Sequence, residues 1–145
     1  MVFKTIVVIL QALQDLGSVC SIRGMIVHVK FVSIPTTNQD RALAFYTEKL
    51  GFKLVTDQPF NEKQRWIELR IGNAETRFVL FATDDGPAPG SSFNGALACD
   101  NVRKTYDELK SRGVEFDSPP QDQPWGSFAI MRDPDGNQFV LSSRS

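Results

Sequence analysis

The stretch Val27–Phe52, VHVKFVSIPTTNQDRALAFYTEKLGF, constrains the chain more than any other, because it joins a strand pattern directly to a capped amphipathic helix. From Val27, the residues Val27, Val29, Phe31 and Ser33 alternate with His28, Lys30, Val32 and Ile34, a period of two rich in β-branched side chains. Bulk on both sides predicts a strand inside a sheet. Pro35 cannot donate to a ladder, and Thr36, Thr37 and Asn38 offer oxygens to the first amides of a helix. From Asp40, the residues Ala42, Leu43, Phe45, Tyr46 and Leu50 recur at helical steps, and Gly51 stands where a left-handed C-cap belongs.

Three more strands are predicted after this helix, over 53–56, 64–71 and 76–82, giving a β-α-β-β-β unit. In the second of them Trp66, Glu68 and Arg70 share one face, and Ile67, Leu69 and Ile71 the other. The segment 84–92, DDGPAPGSS, reads as an exposed linker. The order then repeats: a strand over 93–99, a cap at Asp100 and Asn101, a helix over 102–112, and Gly113 at its end, 62 positions after Gly51. Strands over 114–116, 128–132 and 138–142 follow, the last pair joined by the turn DPDGN. Each half alone would expose a sheet face that the other covers.

A single domain suits 145 residues, and 41% hydrophobic with 23% charged residues is ordinary for a globule. A formal net charge of -1 without a basic stripe argues against nucleic acid or an anionic membrane as partner. Cys20 and Cys99 have no metal-ligand spacing and suit reduced thiols in a cytoplasmic protein. Residues 1–24 lack the clean apolar core of a signal peptide and the length of a membrane span; Val8, Leu10, Leu13 and Leu16 would suit a short amphipathic helix. The expected layout is an extension over 1–24 and one domain over 25–145, with module one at 25–83, a linker at 84–92 and module two at 93–145.

DRALAFYTEKLGF after a strand, the Gly/Pro linker, a second strand and helix, PWG and a terminal DPDGNQFVL together resemble the vicinal oxygen chelate superfamily of glyoxalases, bleomycin-resistance proteins and extradiol dioxygenases. The resemblance covers residues 25–141 and implies an α+β fold, in which two β-α-β-β-β modules form a curved mixed sheet around a cavity. It also implies a homodimer. In metal-dependent members, ligands of His, Glu or Gln type lie on the first and last strands of each module. The corresponding positions here are Phe31, Val79, Asn94 and Val140. Phe and Val have no donor atom and Asn94 alone is a poor ligand, so these residues cannot build a Zn²⁺, Ni²⁺ or Fe²⁺ site. His28, the single histidine, has the opposite strand parity to Phe31.

The expected site is therefore an apolar pocket without metal or cofactor, holding a partly aromatic or cationic organic ligand. Its candidate lining is Phe31 with Val29 and Ser33, Val79 with Arg77 and Phe81, Asn94 with Ala96 and Ala98, and Val140 with Gln138. Trp66, Phe60 and Trp125 could reach the rim, where core packing is the competing role for each ring. Glu68 could hold a cation or act as a base, or else join Arg70 and Arg77 in a plain cross-strand ion pair. No nucleophile elbow, phosphate-binding glycine loop or Cys-His pair is present. Binding of a small molecule leads. A metal-dependent lyase, isomerase or dioxygenase, using residues placed one position off, comes second, and a non-catalytic association module third.

Overall fold

The computed structural model describes residues 26–83 and 94–143. The expected N-terminal extension, including Val8, Leu10, Leu13, Leu16 and Cys20, and the linker over 84–92 lie outside the described residues. Module one runs β1 (Phe31–Thr36), α1 (Gln39–Ala44), a π-helical segment (Phe45–Lys49), β2 (Lys53–Pro59), β3 (Arg65–Arg70) and β4 (Arg77–Ala82). Module two runs β5 (Asn94–Cys99), α2 (Val102–Ser111), β6 (Glu115–Phe116), β7 (Gln121–Gln123), β8 (Gly126–Arg132) and β9 (Gln138–Ser143).

The helix boundaries follow from local chemistry. The Asn38 side chain accepts from the Arg41 amide at 3.0 Å, and Asn101 does the same for Lys104 at 3.0 Å. Gly51 (φ 75°) and Gly113 (φ 86°) take the left-handed conformation that lets each chain turn away after its helix. The first helix is not uniform. The Thr47 hydroxyl takes the Leu43 carbonyl at 2.7 Å, and Leu50 reaches back five residues to the Phe45 carbonyl at 3.3 Å, which widens the last turns into the π-helical segment.

Strands pair as β1-β4-β3-β2 in one sheet and β5-β9-β8-β6 in the other, with β7 also on β8. β1 lies parallel to β4 and β5 parallel to β9; the other pairs are antiparallel. The fold is thus α+β with two β-α-β-β-β modules, and the expected curved sheet is divided into sheets of four and five strands. β1 begins at Phe31 rather than Val27, because the exposed residues before it bond only at isolated points, such as Thr76 Oγ1 to the Val29 carbonyl at 2.7 Å. β7 forms inside the segment expected to be a long loop.

One core joins the modules. Ile34, Tyr46, Ile67, Leu69 and Leu80 of module one pack in a single cluster with Leu109, Val114, Met131 and Phe139 of module two. Each such side chain contributes roughly 1.5–3 kcal/mol on burial. Ile34, Ile67, Leu69, Leu80, Met131 and Phe139 occupy the inner faces of the sheets, with Tyr46 and Leu109 reaching them from the helical segments, so the opposite faces of both sheets point away from the shared core.

Candidate functional site

Alternation along the strands puts Phe31 and Ser33 of β1, Arg77, Val79 and Phe81 of β4, and Trp66, Glu68 and Arg70 of β3 on the outer face of the first sheet. Ser33 and Glu68 stand on either side of Val79 in register. The Phe31 ring reaches across β4 to the Trp66 ring, edge to face with centroids 5.4 Å apart. Val79, between them, is only 1% exposed although no helix among the described residues packs on this side. Phe60 packs on Trp66 from beyond the strand end, with centroids at 5.7 Å. Phe31, Phe60 and Phe81 stay 39%, 57% and 40% exposed, so the aromatic patch is assembled and open.

Glu68 does not pair with Arg70 or Arg77. Its Oε1 accepts from Trp66 Nε1 at 2.7 Å, which fixes the indole and occupies part of the carboxylate. Arg77 spends Nη1 on the carbonyls of Ala74 and Glu75 at 2.7 and 3.2 Å. Val29 lies before β1 and is exposed, outside the sheet face assigned to it by alternation.

In the second module, Val140 stands in register between Ala96 of β5 and Ile130 of β8. Ala96 and Ala98 are exposed, while Leu97 and Cys99 turn toward the core. Trp125 stacks on Phe128 with centroids 5.5 Å apart and is 64% exposed. Phe128 and Ile130 therefore share this outer face with Val140, a placement legible in the alternation of β8. Asn94 pairs in register with Gln138, and its side chain lies outside the described residues. Gln138 donates to Asp117 at 2.9 Å, and Asp117 also binds Arg132. The two sets of candidates sit on separate sheets and do not line one cleft within a single chain.

The donor atoms do not fit a transition-metal site. On the first face the positions that resemblance assigns to metal are Phe31 and Val79, and Glu68 is the one carboxylate beside them. His28 approaches Glu75 at 3.5 Å, off this face. No group of three or more His, Cys, Asp or Glu side chains converges among the described residues. Among the described residues, three clefts are formed by other parts of the surface. The largest of these, about 370 Å³, is lined by Phe45, Lys49, Glu115 and Arg132 among others, and none of the three includes Phe31, Val79 or Val140.

The DPDGN turn does more than reverse the chain. Asp133 accepts from the Tyr46 hydroxyl at 2.6 Å and from Asn137 Nδ2 at 2.8 Å, and Asn137 Nδ2 also donates to the Pro35 carbonyl at 2.9 Å. Asp135 accepts from Thr36 Oγ1 at 2.6 Å, the Thr37 amide at 3.0 Å, Thr37 Oγ1 at 2.9 Å and Arg41 Nη2 at 2.7 Å. The two threonines expected to cap α1 thus serve the other module, and Asn38 caps alone.

A model of the Glyoxalase/Bleomycin resistance protein/Dioxygenase superfamily matches residues 26–141. The chain is 38% identical to TnmS3, an antibiotic binding protein from Streptomyces sp. CB03234, and the two structures align with a TM-score of 0.74 over 83% of this chain and 98% of that one. It is 32% identical over 125 residues to the uncharacterized protein YetH of Bacillus subtilis (strain 168), covering 81% of this chain and 98% of the relative. A probable chloroplastic lactoylglutathione lyase of Arabidopsis thaliana is 32% identical over 115 residues, covering 74% of this chain and 33% of that protein.

Proposed function

We propose, from the premise that the chain belongs to the Glyoxalase/Bleomycin resistance protein/Dioxygenase superfamily, that it is a metal-independent binding protein for a small, partly aromatic organic molecule. The observation that carries this reading is the open patch formed by Phe31, Trp66, Phe60 and Phe81 around the buried Val79. Rings held in place by edge contacts and by the Trp66–Glu68 hydrogen bond offer flat area with little ordering cost on binding. Likeness to an antibiotic binding protein supports the same reading. A cationic ligand held by Glu68 is the weaker form of it, since the indole already occupies one carboxylate oxygen.

Both outer faces point away from the shared core, so a pocket needs a cover. A second copy of the chain supplies one, with the face around Val79 of one chain over the face around Val140 of its partner. Exposed Phe31, Phe81 and Trp125 would then leave water on assembly. Sedimentation velocity should show a dimer, and a monomer at every concentration would remove this arrangement. Among the described residues no helix is long and apolar enough to cross a membrane.

Enzymatic activity is the second reading, favoured by similarity to the probable lactoylglutathione lyase. It requires donor atoms that Phe31, Val79 and Val140 lack. Elemental analysis of untagged protein, with thermal shifts against planar aromatic compounds and against Zn²⁺, Ni²⁺ and Fe²⁺, separates the two. Shifts with aromatic compounds and no stoichiometric metal are expected; stoichiometric metal with metal-dependent turnover would put the enzyme first.

A further inference from the structure

Three cations stand in one row on the face just described. Arg77 of β4 is the direct partner of Arg70 of β3, and Arg70 is the direct partner of Lys53 of β2. Phe31 of β1 completes the row as the neighbour of Arg77. Like charges directly opposite one another on adjacent strands are destabilising. No carboxylate relieves this row: among the described residues the Arg70 side chain has no hydrogen-bond or ion-pair partner, and its Nε is withdrawn from solvent without an acceptor. Arg77 has only backbone carbonyls. With Glu68 counted, the face carries 3 − 1 = +2 in a chain whose formal net charge is -1.

We propose that this row is an oxyanion subsite, and that the ligand is an aromatic compound bearing an acidic group such as a carboxylate. The proposal rests on the aromatic-ligand reading above and specifies it further. Successive residues on one face of a strand lie about 7 Å apart. A ring on the Phe31–Trp66 patch therefore places a substituent one ring-length away over Arg70 and Arg77. The two Nη groups of the Arg70 guanidinium, which are not withdrawn as Nε is, can then donate to two oxygens at once in a fixed fork that a lysine lacks. Lys53, at the exposed end of the row, adds charge without geometry.

The test uses 2-naphthoate and its neutral carboxamide as matched probes, with affinities measured by calorimetry on the full chain at low and high salt. The carboxylate should bind roughly ten- to a hundredfold more tightly, and the advantage should shrink with salt. In Arg70→Gln the ratio of the two affinities should fall toward one, while Arg70→Lys should keep part of it. Arg70→Gln also relieves the repulsion with Arg77, so its thermal midpoint should not fall, which separates loss of the subsite from loss of fold. Equal affinities for both probes, or an unchanged ratio in Arg70→Gln, would overturn the acid-group assignment and leave the aromatic reading intact. Failure of both probes to bind would overturn both.

Discussion

Tyr46 of the first helix donates its hydroxyl to Asp133 of the last turn at 2.6 Å, between two residues 87 positions apart and both buried. Burial first, then the charge of Asp133, pushes the phenol well above its ordinary range, so it remains a donor at all working pH values. Tyr46→Phe keeps the ring contacts with Phe45, Phe52 and Phe139 and removes one donor from a buried carboxylate. A loss of roughly 1–3 kcal/mol in denaturant unfolding is expected; a change within error would mean that the bond holds nothing together.

Asp135 gives the chain an acid-sensitive contact. Burial alone would raise its carboxyl, but hydrogen bonds from Thr36 and Thr37 and the nearby Arg41 outweigh that and hold it below the usual carboxylate range. A folded-state value below the unfolded one means that the stabilisation is fully present above about pH 4 and is lost as pH falls through the lowered value. Asp135→Asn should therefore be less stable than wild type at neutral pH, with a shallower loss of stability below about pH 4. Parallel slopes in that window would rule out Asp135 as the group responsible.

Gln39 ties α1 to the first sheet. Its Nε2 donates to the carbonyls of Arg65 and Leu80 at 2.7 and 2.9 Å, and its Oε1 accepts from the Arg65 amide at 3.0 Å. Gln39→Glu keeps the shape but replaces the donor by a charge facing two carbonyls. It should destabilise more than Gln39→Ala, itself costing roughly 1–3 kcal/mol, and thermal melts of the pair would check the order.

Trp66 should report ligand directly. In Trp125→Phe the remaining indole stands between Phe31 and Phe60, and 2-naphthamide should change its emission saturably. A linear, unsaturable response would place the compound elsewhere.

The helices were legible because their signals are local. Asn38, Asn101, Gly51 and Gly113 act within a few residues of where they stand. The shared face of Trp66, Glu68 and Arg70 follows from strand alternation alone. Lys53 was not assigned to that face, since a strand edge gives no hint of which cations stand opposite. The partners of Asp133 and Asp135 in the other module were also hidden, because each is 87 to 99 positions away and the motif reads equally well as a plain turn. Which faces of two-sided strands meet is decided by packing between modules, so the division into two sheets was not visible either.

The clasp around DPDGN also sets an order of events during synthesis. Pro35, Thr36 and Tyr46 leave the ribosome about a hundred residues before Asn137, Asp135 and Asp133 can reach them. Until then the first module has its own strands and helix but an inner face without Met131 and Phe139. Such long-range closure delays the final fold. The nascent first module is the species with sticky inner surface to shield, and a chaperone that engages this protein should do so before the last turn emerges.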